Sequence, residues 1–103
     1  GHIVTGHVDG VAIVNRIEHI GESIKVSLSI PYDLAKFITR KGSVALNGTS
    51  LTVNTTRDNE FAVNLIPHTR VKTTWNSITL EDHVNVEIDP LARYVARLNE
   101  LRE

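Results

Sequence analysis

Apolar residues return at every second position in several short runs of this chain, and that period constrains its fold more than any other feature. In Ser23–Ile30 the apolar residues are Ile24, Val26, Leu28 and Ile30, separated by Lys25, Ser27 and Ser29. Successive side chains of a strand point to opposite faces, so this run reads as a half-buried strand rather than a helix. Val84, Val86 and Ile88, alternating with Asn85 and Glu87, repeat the pattern. Gly42–Leu46 and Ser50–Val53 flank Asn47-Gly48. Asn-Gly between alternating runs predicts a hairpin, because a type I′ turn needs positive φ at both central residues. Arg57-Asp58-Asn59 predicts a second hairpin, between Leu51–Thr55 and Phe61–Ile66. Gly6–Ile20 is also β-rich, with Gly10 a candidate bulge or bend.

Two segments depart from this period. Pro31–Ile38 places Pro at a first helical position and Leu34, Phe37 and Ile38 on one face, which predicts a short helix. At the end of the chain Asp89 suits an N-cap and Pro90 the first turn of a longer helix. Along that helix Leu91, Tyr94, Leu98 and Leu101 fall at 3-4-3 spacing, with Val95 beside them. Such a stripe either packs on the chain's own sheet or meets copies of itself. Five or six short strands with two hairpins predict an all-β fold: a small closed barrel, since closure removes the exposed strand edges of a small sheet. The expected division is a barrel over residues 1–89 and a C-terminal helix over 90–103, an oligomerisation element on the second reading of its stripe.

Composition narrows the function classes. The 103 residues carry 11 basic and 12 acidic side chains, so bulk charge gives no reason to bind nucleic acid or anionic lipid. Two Phe, two Tyr and one Trp are few for a single-strand-binding groove. With no Cys, thiolate metal sites, disulfides and thiol nucleophiles drop out of this chain. With no Met, and with Gly1-His2 at its start, the chain reads as processed or as a fragment. No apolar run approaches the ~20 residues of a membrane span, and the first residues do not form a signal peptide, so a soluble protein is expected.

Candidate chemistry gathers in a few places. Five histidines (His2, His7, His19, His68 and His83) lack the spacings that zinc hydrolases use, so no metal site is expected. The chain has no Gly-x-Ser-x-Gly turn and no phosphate loop. Thr5-Gly6-His7, with His2 nearby, is a polar cluster at the chain start. Ser50 and Thr52 share one face of a strand whose other face carries Leu51 and Val53, an arrangement that suits either a polar pocket or a solvated face. Pro67 interrupts the strand that ends near Ile66 and takes away ladder partners. Backbone groups freed there can read the edge of a flat heterocycle, or simply mark a strand end. Trp75 can stack on a ring or cover a barrel end. Arg40 and Lys41 form a charged turn, from which Lys41 can reach a polyol or a phosphate.

In sequence order these clusters resemble the second half of the riboflavin synthase family. Gly1–Gly10 is similar to its GGHxxSGHxxG opening, and Lys41-Gly42-Ser43 through Gly48-Thr49-Ser50-Leu51-Thr52-Val53-Asn54 to its KGSxxxxGxSLTVN segment. Asn64–Thr69 with Thr73-Thr74 is similar to its LIPxT segment, and Val84–Asp89 to its VNxExD strand. The resemblance implies two six-stranded Greek-key barrels per family chain, of which this is the second, and a homotrimer held by C-terminal helices. It implies a cytoplasmic transferase without metal or cofactor: two molecules of 6,7-dimethyl-8-ribityllumazine exchange a four-carbon unit, giving riboflavin and 5-amino-6-ribitylaminouracil. The site would lie between this barrel and the N-terminal barrel of a neighbouring subunit. On this reading His7, Ser50, Thr52 and Asp89 are the catalytic candidates. His7 is the better of the two N-terminal histidines for proton transfer, because an imidazole ordinarily titrates near ~6.5. His2, Lys41, Gly48, Asn64, Leu65, Ile66 and Thr69 are the substrate-binding candidates. Of these, Lys41 joins Asp89 at the ribityl hydroxyls, and Asn64–Ile66 offer backbone edges to the pyrimidine.

The chain departs from the family pattern in places. Thr49 stands where an aliphatic residue is usual, Thr74-Trp75-Asn76 replaces Thr-Leu-Gly, and Leu80-Glu81-Asp82 replaces a Val-Gly-Asp-like turn. The family's reactive cysteine belongs to the first barrel. A non-catalytic lumazine or flavin carrier built on the same barrel is the alternative reading.

Overall fold

A computed structural model describes residues 4, 6–66 and 77–102. Six strands, β1 (Gly10–Ile20), β2 (Ser23–Ser29), β3 (Ser43–Leu46), β4 (Thr49–Arg57), β5 (Glu60–Leu65) and β6 (His83–Ile88), close in the order β1-β2-β5-β4-β3-β6. All neighbours are antiparallel. Strands β3, β4 and β5 follow one another through hairpins and β6 returns beside β3, which is the Greek-key connection. The all-β closed barrel expected from the alternation is therefore what forms.

Alternation sorts the side chains as expected. Val26 and Leu28 of β2, Val44 and Leu46 of β3, Val63 and Leu65 of β5, and Val84 and Val86 of β6 are fully buried in one core. Each such side chain contributes about 1.5–3 kcal/mol of transfer free energy. Asn47 and Gly48 both take positive φ, 49° and 82°, as the predicted I′ turn requires. The second hairpin turns at Asp58 and Asn59, between the ends of β4 and β5.

Two local expectations are corrected. Gly10 is not a bulge: it pairs regularly with Val86, and a Cβ there would lie 2.5 Å from Leu34 Cδ1. There α1 (Tyr32–Ala35) sets Leu34 on the barrel, and its side chain occupies the space that a Cβ at position 10 would enter. The register shifts fall elsewhere, between Val14 and Arg16 on β1 and between Val53 and Thr55 on β4. Pro31 also stands at the N-cap of α1, not inside it.

The C-terminal helix α2 (Pro90–Arg102) starts where predicted, with the Leu91 N–H donating to Asp89 Oδ1 at 3.0 Å. Its small residues Ala92 and Ala96 are half-buried. Lys36 Nζ reaches Glu100 at 3.0 Å, and the Arg93 guanidinium lies 4.7 Å from the Phe37 ring centre. The predicted stripe is largely exposed: Leu91, Tyr94, Val95, Leu98 and Leu101 are all at least 50% exposed, with Leu91 and Val95 at the rim of a groove against the barrel. The barrel-side contacts of α2 include Ala92, Arg93 and Glu100, while Tyr94, Leu98 and Leu101 are left exposed.

Candidate functional site

The site candidates are positioned by the splay of two strands. The β4–β5 ladder runs from Arg57–Glu60 to Val53–Val63 and goes no further. Beyond it β4 turns toward the segment before β3: Val53 N–H donates to the Gly42 carbonyl and Lys41 N–H to the Val53 carbonyl, both at 2.8 Å. The extra residue at the shift is Asn54, and bulges bend strands in this way beside sites. On its other side β5 continues to pair with β2 as far as Leu65, opposite Ile24. The edge of 64–66 that faces β4 therefore has no ladder partner among the described residues.

A cavity of about 450 Å³ opens in this splay, lined by Arg40, Lys41, Ser50, Thr52, Asn54, Asn64 and Ile66 among others. Strand parity explains the lining. Leu51 and Val53 turn into the core, so Ser50, Thr52 and Asn54 face outward. Asn54 Nδ2 approaches Asn64 Oδ1 at 3.5 Å across the gap. Two cationic groups and several hydroxyl and amide groups surround an apolar floor, so the lining offers hydrogen-bond donors and acceptors to a polar ligand. A depression of about 480 Å³ lined by Asn15, Arg16, Ile17, His19, Ile24, Ile78, Thr79 and Leu80 holds none of the candidate residues.

The remaining candidates are placed differently. Leu65 has its side chain in the core, so only its backbone can serve a ligand. Gly48 forms the β3–β4 turn and does not line the cavity. Asp89 caps α2 and lines a neighbouring groove of about 260 Å³ with Ser43, Thr39 and Val95. The groove and the cavity meet at a pair of serines, Ser43 Oγ and Ser50 Oγ, 3.0 Å apart. His7 has a side chain 82% exposed and lies over another depression, formed with Asp9, Glu87 and Arg93. His2, Thr5, Pro67, His68, Thr69, Thr73, Thr74 and Trp75 lie outside the described residues. Among the described residues no three His, Cys, Asp or Glu side chains gather as a metal site would need, and no helix is long and apolar enough to cross a membrane.

Three residues gain importance from the structure. Asp9 is only 7% exposed at its side chain, accepts from Ile88 N–H at 2.7 Å and from Arg93 Nη2 at 2.6 Å, and lies 3.7 Å from His7 Nε2. Glu87 is buried on the outer face of β6, where its carboxylate accepts from Gly6 N–H at 3.1 Å. Together they hold the segment bearing His7 against β6 and α2. No periodicity marks them, because their partners are 79 to 84 residues away. Asn54 was visible as the last residue of the SLTVN segment, but its place at the bulge was not.

A closed Greek-key barrel with a polar cleft in its wall, opened by one bulge, defines a class of small ligand-cradling β-barrels. Within that class the chain belongs to the lumazine-binding domain family, whose model matches residues 5–89. The riboflavin synthase of Brucella abortus (strain 2308) is 53% identical over 98 residues, 95% of this chain and 48% of that protein. The riboflavin synthase of Photobacterium phosphoreum is 45% identical over 98 residues, 95% of this chain and 45% of that protein. That of Bacillus subtilis (strain 168) is 36% identical over 97 residues, 94% of this chain and 45% of that protein. The chain thus spans about half the length of the curated relatives it matches. Among solved structures, LumP complexed with 6,7-dimethyl-8-(1′-D-ribityl) lumazine is similar at a TM-score of 0.77 and 28% identity, over 82% of this chain and 48% of that one. LumP has also been crystallised with riboflavin and with flavin mononucleotide.

Proposed function

We propose that this chain is the second, ligand-binding barrel of a riboflavin synthase, a cytoplasmic transferase that dismutates 6,7-dimethyl-8-ribityllumazine to riboflavin and 5-amino-6-ribitylaminouracil. One observation carries the reading. Lys41, Ser50, Thr52, Asn64 and Ile66, chosen from two separate motifs, line a single cavity of about 450 Å³. The 53% identity to a riboflavin synthase supports the same assignment.

In this reading the unpaired edge of 64–66 takes the pyrimidine, whose ring offers alternating donors and acceptors. Lys41 donates to the ribityl hydroxyls and Asp89 accepts from them across the adjoining groove. Ser50 and Thr52 supply hydroxyls beside the ring. The reaction needs two rings held in register, a proton removed from a methyl group and a nucleophile added to the partner ring. One barrel presents one ring, so the second comes from the N-terminal barrel of a neighbouring subunit, and His7 serves proton transfer at that junction. The exposed stripe of α2 supports a helix-mediated trimer, because Tyr94, Leu98 and Leu101 are at least 60% exposed on their own barrel.

Titration of the chain with 6,7-dimethyl-8-ribityllumazine and riboflavin, followed by ligand fluorescence, tests the binding step. Adding a matching N-terminal barrel and measuring riboflavin formation tests the chemistry. Saturable binding with turnover only in the mixture is expected. No binding overturns the reading, and tight binding without turnover in the mixture turns it into that of a carrier.

A further inference from the structure

We infer that Arg40 is a specificity-determining residue of the cavity, making with Lys41 a subsite for a phosphate on the ligand's hydroxylated tail; this rests on the binding function proposed above. The nine described residues that line the cavity carry two charged groups, both cationic, and no carboxylate. The chain as a whole has a formal net charge of -1, so the cationic wall is a local feature. Ion pairing does not account for it. Among the described residues the cations in ion pairs are His7, Arg16, Lys36, Arg93 and Arg97, and neither Arg40 nor Lys41 is one of them.

The two cations are built into the wall. Gly42 N–H donates to the Thr39 carbonyl at 2.9 Å, which makes Arg40 and Lys41 the central residues of a β-turn. The turn is fastened to β4 through Val53, whose carbonyl accepts from Lys41 N–H and whose N–H donates to the Gly42 carbonyl. Lys41 has φ 68°, at the second central position, where a positive φ favours glycine. A lysine there gives the wall a cation that the favoured glycine would not. A tail of hydroxyls needs only single donors and acceptors, which Lys41 and Asp89 already supply. A phosphate monoester carries about -1.5 to -2 charges at neutral pH and three acceptor oxygens, and a guanidinium fork beside an ammonium matches it. Flavin mononucleotide, the ester at the end of the ribityl chain, is the ligand of that class. Asp89 lines the adjoining groove and not the cavity, so hydroxyls and phosphate meet groups of opposite sign in separate places.

The test compares dissociation constants for riboflavin and flavin mononucleotide, read by flavin fluorescence, in the unaltered chain, Arg40→Gln, Lys41→Gln and Arg57→Gln. Thermal melts verify folding. Arg57 is an exposed cation that does not line the cavity, so Arg57→Gln makes the same change of net charge elsewhere. The unaltered chain is expected to bind the phosphate ester roughly threefold to tenfold more tightly than riboflavin, the worth of a charge-assisted bond at an exposed site. At about 0.5 M salt, where screening acts within a few ångströms, the preference should fall to about twofold or less. Arg40→Gln should remove most of the preference, Lys41→Gln should reduce it, and Arg57→Gln should leave it in place. Equal constants for the two flavins in the unaltered chain, a preference that survives Arg40→Gln, or one lost equally in Arg57→Gln would overturn the phosphate subsite and leave the binding function intact. Failure of the unaltered chain to bind either flavin would overturn both.

Discussion

Asp9→Ala is the substitution from which the structure predicts most. The carboxylate holds three separate pieces of chain together: its own segment before β1, the end of β6 through Ile88 N–H, and α2 through Arg93. Ile88 is 3% exposed, so removing the acceptor leaves a buried N–H without that partner, at a cost of about 1–3 kcal/mol. The bond to Arg93 is charge-assisted and short at 2.6 Å, but the Arg93 side chain is 44% exposed. Solvent screening reduces its share to roughly 1–2 kcal/mol. The sum is about 2–5 kcal/mol, and near 4–8 °C per kcal/mol it lowers Tm by roughly 10 °C or more in a domain of this size. Urea unfolding followed by circular dichroism measures it, with an unchanged m-value expected. Arg93→Ala and the double variant complete the cycle. Arg93 also contacts Phe37, but that contact is lost in both arms and cancels. A coupling of about 1 kcal/mol or more is expected; additivity within roughly 0.5 kcal/mol would refute the clamp.

Three further outcomes follow from named contacts. Glu81 adopts φ 70°, the left-handed region, at the turn where its N–H donates to the Val14 carbonyl; Glu81→Gly should stabilise the fold by about 0.5–1 kcal/mol in the same urea assay, and a loss would refute the strain. Gly10→Ala brings a Cβ to 2.5 Å from Leu34 Cδ1, so the Leu34 side chain must turn; the loss it causes should be smaller in a Leu34→Ala background than in the unaltered chain, whereas purely additive losses would show that the two sites do not meet. Hydrogen bonding to Lys36, then its charge, holds the Glu100 carboxyl below the usual carboxylate range, with Arg97 adding to both effects. A depressed carboxyl favours the folded chain above its unfolded value near ~4.3, and that contribution disappears as pH falls through the folded value. An NMR titration of Lys36→Gln should therefore show Glu100 protonating at a higher pH than in the unaltered chain, and equal midpoints would exclude the pairing.

Local rules make most of the barrel legible in the sequence. A period of two depends only on strand geometry, so the alternation in Ser23–Ile30 and Val84–Ile88 identified both the strands and their inward faces. Asn47-Gly48 specified its turn because few residues tolerate two successive positive φ values. Asp89-Pro90 marked the start of α2 for equally local reasons. The outward parity of Ser50 and Thr52 was readable too, although not what they faced.

Only the tertiary structure decided the rest. Pro67 gives the sequence one reason for free backbone near Ile66, and the structure adds another that no local pattern contains: the bulge at Asn54 ends the β4–β5 ladder. A bulge is one extra residue between two strands and exists only once their register does. Gly10 serves the approach of Leu34, a contact across 24 positions that no local pattern contains. The exposure of Tyr94, Leu98 and Leu101 on α2 likewise depends on Ala92, Arg93 and Glu100 taking the barrel side. Residue type and spacing determine what a segment of this chain can become and which face it buries. Which faces then meet, and so which hydroxyls share the cavity with Lys41 and Asn64, depends on long-range closure of the barrel, where every pairing is conditional on all the others.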